Sequence, residues 1–126
     1  VSSPYLFSWK DVQARLDQTE LDPDGRYGRR IELGSPALHS IALHMNRLDS
    51  DTQTKTTRTT ANQIICVAEG AGSTLIDGIE LAWQRGDVFA VPGWRPFHHT
   101  ASRDATLFEM SDEPVMKSLG WLRVSD

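Results

Sequence analysis

A hairpin signal in the middle of the chain is the feature that most restricts its fold. Two short apolar runs, residues 74–76 and 79–83, are joined by Asp77-Gly78. An Asp-Gly pair suits the two positive φ angles of a type I′ turn, the two-residue connection whose twist matches that of paired antiparallel strands. The segment therefore predicts an antiparallel β-hairpin.

Strand patterns extend to both sides of this hairpin. In one of them Ile41, Leu43 and Met45 alternate with small or polar residues, which is typical of a half-buried strand. The threonine-rich stretch 52–60 is compatible with either a strand or a loop, and residues 69–72 (Glu-Gly-Ala-Gly) predict a turn. Strands are predicted over residues 38–48, 63–68, 88–91 and 105–110.

Helices are predicted at both ends of the chain. Near the start, Ser8 is a candidate cap, and apolar residues then recur at helical spacing at Trp9, Val12 and Leu16. A closing helix begins near Asp112, with proline in its first turn and glycine just past its end. Many short strands framed by two short helices predict an all-β antiparallel sandwich or barrel. The pattern alone does not separate a jelly roll from other all-β folds.

Composition excludes several classes of protein. The 126 residues suit a single domain with its own core. A net charge of −4 with 13 scattered basic residues gives no indication of a nucleic-acid partner. No stretch approaches the roughly 20 apolar residues of a membrane span, and Cys66 has no cysteine to pair with. We expect a cytoplasmic protein without membrane contact. The start, VSSPYLFSW, has neither an initiator Met nor a signal peptide, which is the pattern of a piece of a longer chain or of a processed start.

Two spaced motifs resemble those of the cupin superfamily. The first cupin signature is a glycine, five residues, His-x-His, three residues, Glu, six residues and a glycine. Counted back from Gly70, the spacing is kept but the leading glycine, the two histidines and the glutamate are replaced by Asp51, Thr57, Thr59 and Gln63. The second signature, which ends in Pro-x-Gly-x-x-His, aligns with residues 86–97 and has Phe97 at its histidine position.

Further blocks narrow the resemblance to one group. Residues 83–94, residues 104–120 and the opening around 7–9 are similar to the C-terminal cupin domain of gentisate 1,2-dioxygenase-like proteins. The resemblance implies a cupin double-stranded β-helix, that is, a jelly-roll barrel, with short N- and C-terminal helices. Such relatives cleave the rings of gentisate, salicylate or 1-hydroxy-2-naphthoate with Fe(II) and O₂, and many are bicupins whose iron lies in the other domain. Residues 1–126 are thus expected to form a single cupin domain or half of a bicupin, with a second cupin domain or a homodimer as partner.

The altered positions predict a changed site. In an extended strand, residues 57 and 59 project to one face, where two histidines would converge on a metal with a third from the strand near 97. Threonine hydroxyls and a glutamine amide are poor ligands for iron, and Phe97 has no lone pair. We therefore expect no metal ligand, no catalytic residue and no cofactor in this domain.

Three interpretations of the site are open. In the first, Phe97 fills the former cavity, Thr57, Thr59 and Gln63 hydrogen-bond one another, and the domain is a non-catalytic half or partner. In the second, a pocket holds a small aromatic acid without metal. The candidate pocket residues are Thr57, Thr59, Gln63, Phe97, His99 and His44. In the third, His99 and His44 belong to an unexpected metal site, for which no third ligand is visible. An active dioxygenase remains the alternative if another domain holds the iron. Cys66 is expected to be a buried small hydrophobe.

Overall fold

The computed structural model describes residues 6–34 and 40–126, which form an antiparallel β-structure with two short helices. Residues 38 and 39 of one predicted strand lie outside this range. In chain order the elements are α1 Trp9–Gln18, β1 Arg29–Leu33, β2 Ala42–Leu48, β3 Arg58–Thr59, β4 Gln63–Glu69, β5 Ala71–Ile76, β6 Ile79–Gln84, β7 Val88–Val91, β8 Phe97–Ala101, β9 Ala105–Ser111, α2 Glu113–Ser118 and β10 Val124–Ser125. The all-β prediction is confirmed.

Two sheets make up the body of the fold. One has the strand order β1-β2-β9-β4-β7, and the other has the order β6-β5-β8. A short antiparallel pair, β3 with β10, lies beside them. Between the sheets is a core to which both contribute; it contains Leu48, Ile65, Val67, Ile76, Trp83, Val91, Phe97, Ala101, Ala105 and Leu107. The inward face of each strand therefore lines the interior of a closed, two-sheet structure.

The central hairpin is confirmed. Strands β5 and β6 pair from Ala71–Gln84 to Ile76–Ile79, and both turn residues have positive φ, 49° at Asp77 and 84° at Gly78. The turn predicted over residues 69–72 is wrong, because β4 ends at residue 69 and β5 begins at residue 71, and β4 pairs with β7 while β5 pairs with β6. At Gly70, with φ 90°, the chain passes from one sheet to the other, and a Cβ there would lie 2.2 Å from the Asp104 carbonyl oxygen. Only glycine suits that position.

Both terminal helices are confirmed. Helix α1 follows Ser8, although the Ser8 side chain makes no capping hydrogen bond; the first turn is instead closed by the Val12 amide donating to the Ser8 carbonyl at 2.9 Å. Helix α2 has proline in its first turn. Within residues 6–34 and 40–126, neither helix is long and apolar enough to cross a membrane.

Strand β2 is covered on both faces, which corrects the half-buried interpretation. Its apolar stripe, with Met45 buried, packs under Val12 and Leu16 of α1 on the outside of the sheet. Its other stripe, which holds His44 and Asn46, faces the interior beside β9. The polar side of this strand is therefore the side that faces into the barrel.

One expectation about a single side chain is wrong. Cys66 is half-buried rather than buried, since it lies on the outward face of β4. Of the four tryptophans only Trp83 is in the core, whereas Trp9, Trp94 and Trp121 are 43–61% exposed.

Candidate functional site

The positions aligned by motif spacing lie in the interior. Thr57 forms an isolated antiparallel bridge with Phe97 at the start of β8, so the two side chains share the inward face. His99 lies two residues further on the same face, as the strand parity predicts, while His98 points away. The exposed fractions of the aligned residues and of His99 are 0% for Thr57, 6% for Thr59, 4% for Gln63, 2% for Phe97 and 3% for His99. These five side chains are therefore shielded from solvent.

The expectation that Thr57, Thr59 and Gln63 hydrogen-bond one another is wrong. Thr57 Oγ1 donates to the Lys55 carbonyl at 3.1 Å and accepts from Arg26 Nη1 at 2.8 Å. Thr59 Oγ1 accepts from the Ala61 amide at 3.2 Å. Gln63 Oε1 is buried and has no hydrogen-bond partner within the described ranges. Thr57 and Thr59 thus bind local backbone or an unforeseen arginine, and Gln63 retains an unpaired acceptor.

His99 is held as a neutral imidazole. Trp83 Nε1 donates to Thr74 Oγ1 at 2.8 Å, and the Thr74 hydroxyl lies 2.7 Å from His99 Nδ1. When the Thr74 hydroxyl donates to Nδ1, the ring proton lies on Nε2. Burial disfavours the charged ring and lowers the pKa of His99 to about 4. The ring also packs against Phe97, with centroids 5.4 Å apart. His99 is a fixed part of the core at neutral pH.

His44 belongs to a different group of side chains. It faces inward from β2 opposite Glu109 of β9, and its Nδ1 lies 3.6 Å from Glu109 Oε2, which is beyond hydrogen-bonding distance. Burial and the nearby Arg30 charge lower the pKa of His44. Across residues 6–34 and 40–126, no three His, Cys, Asp or Glu side chains come together as a group that could hold a metal ion.

A buried ion pair beside His44 was missed by sequence reasoning. Glu109, 2% exposed, accepts from Arg30 Nη1 and Nη2, both at 3.0 Å, and from Asn46 Nδ2 at 3.1 Å. Burial alone would raise the pKa of Glu109, but the Arg30 charge and these hydrogen bonds outweigh it and hold the pKa below the ordinary value. One signal was available, because Glu109 shares strand parity with buried Leu107 in an otherwise apolar run.

A cavity of about 640 Å³ opens next to this pair. Arg30 and His44 line its barrel side, and the Tyr27 ring covers the Arg30 guanidinium at 3.9 Å from the ring centroid. Burial raises the pKa of the Tyr27 hydroxyl. Carboxylates dominate the remaining charge of the lining: Glu20, Asp22, Asp24 and Glu113. Of the six predicted pocket residues, only His44 lines this cavity.

The proteins that resemble this chain in sequence are dioxygenases by name. No family model matches the chain. The chain is 33% identical over 127 residues to gentisate 1,2 dioxygenase 1 of Aquipseudomonas alcaligenes, an alignment that covers 97% of this chain and 36% of that protein. Overall, the chain spans about a third of the length of the curated relatives it matches.

Solved structures agree with the fold. Salicylate 1,2-dioxygenase from Pseudaminobacter salicylatoxidans superimposes with a TM-score of 0.86 at 24% identity, over 94% of this chain and 38% of that one. A cupin-2 domain from Rhodospirillum rubrum superimposes with a TM-score of 0.64 at 17% identity, over 69% of this chain and 60% of that one. The expected jelly-roll architecture is therefore confirmed.

Proposed function

Because this chain is a cupin-fold domain that resembles the C-terminal cupin of gentisate 1,2-dioxygenase-like proteins, we propose that it is an iron-free, non-catalytic domain of a protein of that kind. It would support a second cupin domain or another copy of itself instead of carrying out ring cleavage. The observation that carries the proposal is Phe97, which stands at a ligand position of the motif and is 98% buried in the core.

The side chains around Phe97 do not suit iron. A non-haem Fe(II) centre needs about three imidazole or carboxylate ligands on one side and open positions on the other. Thr57 offers a hydroxyl that is already bound by a cationic guanidinium, and Gln63 offers an amide oxygen. In β8, His99 is the one imidazole on the face of Phe97, because His98 points away. These side chains therefore do not supply the three ligands of an Fe(II) centre.

The same residues suit a structural role. A buried phenylalanine contributes on the order of 1.5–3 kcal/mol relative to an exposed one, and Phe97 lies in the core shared by both sheets. The neutral His99 adds no charge to this interior near pH 7. Such an interior supports the proposed structural role of the domain.

Iron content tests this proposal. The protein of residues 1–126 should be incubated anaerobically with Fe(II), desalted and analysed for iron by mass spectrometry. We expect far less than one iron per copy of this domain, and no oxygen consumption by this chain with gentisate or salicylate. His44→Ala and His99→Asn are the matched variants. One iron per chain that either substitution removes would overturn the proposal.

A second function, binding of a small organic ligand, is favoured by the 640 Å³ cavity beside Tyr27 and His44. The four carboxylates of its lining disfavour an anionic aromatic acid there, because the two arginines of the lining are already paired, Arg30 with Glu109 and Arg26 with Asp126. A ligand with hydrogen-bond donors is the better match. Thermal-shift measurements with gentisate, salicylate and neutral or cationic analogues decide between them, with Tyr27→Leu as the variant that should abolish any stabilisation. Absence of stabilisation by every compound would exclude this second function.

A further inference from the structure

Arg26 brings a buried positive charge to the altered motif. Its side chain is 11% exposed, and its Nη1 donates to Thr57 Oγ1 at 2.8 Å and to the Thr56 carbonyl at 3.1 Å. The same nitrogen lies 3.3 Å from the Ser125 carbonyl, and Nη2 forms an ion pair with Asp126. The guanidinium thus links Thr57, at a motif ligand position, to the end of the chain.

A C-terminal strap, defined as residues 121–126, holds Arg26 in place. Its strand β10 pairs with β3, with Val124 opposite Thr59. The Thr60 amide donates to the Arg123 carbonyl at 3.0 Å, and the Thr60 hydroxyl donates to the Trp121 carbonyl at 2.8 Å. The strap is therefore attached along its length to the segment that carries Thr57 and Thr59.

The strap and Arg26 also border the cavity. Arg26 and Val124 both line it, and both reach the Thr57–Thr59 segment on their other side. Asp126 is fixed from a second direction by Lys55, whose Nζ lies 3.0 Å from Asp126 Oδ1. Two ion pairs to one carboxylate, together with the β3–β10 pairing, tie the strap to the segment that carries Thr57.

We propose that the Arg26 guanidinium occupies the acceptors around Thr57 in place of an external cation, and we call it the resident cation. The C-terminal strap is its latch, that is, the segment that keeps Arg26 in this position. A guanidinium supplies a permanent positive charge and a rigid set of donors, so a second cation beside it is repelled. Release of the latch would free Arg26 and extend the cavity to the Thr57 oxygen. This inference rests on the proposed iron-free function and names the group that replaces the ion.

Chemical rescue tests the resident cation. Arg26→Ala removes the guanidinium and leaves its acceptors, so millimolar N-ethylguanidinium should bind in the vacated space and raise the melting temperature by several degrees relative to sodium chloride at equal ionic strength. The matched control is Arg95→Ala, because Arg95 pairs with Asp77 at the surface, where both side chains are more than half exposed. Neither this control nor the unaltered protein should respond.

A milder variant tests the latch, whether or not Arg26→Ala folds. Asp126→Asn removes a charge that is 69% exposed, so the core is left intact. Hydrogen exchange at Val124 and Ser125 should become roughly two- to fivefold faster, while exchange in β5 stays unchanged; Asp77→Asn is the control. Unchanged exchange in Asp126→Asn would overturn the latch, and absence of rescue in a folded Arg26→Ala would overturn the resident cation. Neither result alters the iron measurement, which tests the proposed function separately.

Discussion

Replacing Glu109 by glutamine should destabilise the domain more than any single change of charge at the surface. The carboxylate is 2% exposed and accepts three hydrogen bonds, two of them from the Arg30 guanidinium. Breaking a buried ion pair by removing one partner costs about 3–5 kcal/mol, because the other charge is left uncompensated. The Arg30 side chain is 19% exposed and can be partly hydrated, which favours the lower end, about 3 kcal/mol.

Urea unfolding followed by circular dichroism measures this difference directly. For a domain of this length, a loss of about 3 kcal/mol corresponds to a fall in melting temperature of roughly 10 °C. Glu32→Gln is the matched control, since Glu32 is an exposed residue of the same sheet; it should change stability by less than about 0.5 kcal/mol.

A double replacement separates the ion pair from its packing. Arg30→Met combined with Glu109→Leu removes both charges and keeps much of the volume, but it also removes two hydrogen-bond partners of the buried Asn46, so it should recover part of the loss seen in Glu109→Gln. If the unfolding free energy of Glu109→Gln lies within about 1 kcal/mol of that of the control, the reasoning is refuted, because the ion pair then behaves as a hydrated one. A double variant no more stable than Glu109→Gln would equally contradict it.

Three further predictions concern the interior. Because the pKa of His99 is about 4 when folded and about 6.5 when unfolded, its contribution is complete above pH 6.5 and is lost as the pH falls towards 4. Unfolding free energy should fall by about 2 kcal/mol from pH 7 to pH 5, and by clearly less in His99→Asn. Phe97→Ala should cost about 3–5 kcal/mol in denaturant titrations; a cost below 1 kcal/mol would show that the ring is not packed as described. Gly72→Ala would place a Cβ 2.2 Å from the Thr100 carbonyl oxygen and 2.7 Å from the Trp83 ring, so calorimetry should show a lower melting temperature, and an unchanged value would contradict the close approach.

Local patterns predicted the elements that depend on local chemistry. The Asp77-Gly78 turn and the apolar run of β4 specify their own conformations, and both were found as predicted. Strand β2 shows where this reasoning stops. The alternation of apolar and polar residues predicted a strand correctly, but it does not tell which face lies against a helix and which lies inside the barrel.

The candidate site was only partly predictable for a related reason. Strand parity correctly placed Phe97 and His99 on one face. Arg26 and Thr57 are 31 residues apart and Arg30 and Glu109 are 79 apart, so their contacts depend on how the strands are arranged in space. No local pattern encodes such pairs. The partners of Thr57 and Glu109 therefore required the structure.

The hydrogen bonds from Trp83 through Thr74 to His99 connect the protonation of a buried imidazole to the surroundings of a fluorescent indole ring. Protonation of His99 at Nδ1 removes the acceptor of the Thr74 hydroxyl, and the hydroxyl must then reorient beside the indole nitrogen. Trp83 is the one buried tryptophan of four, so its blue-shifted emission can be separated from that of the exposed three by selective quenching with iodide. The emission of that single ring should therefore change as His99 is protonated.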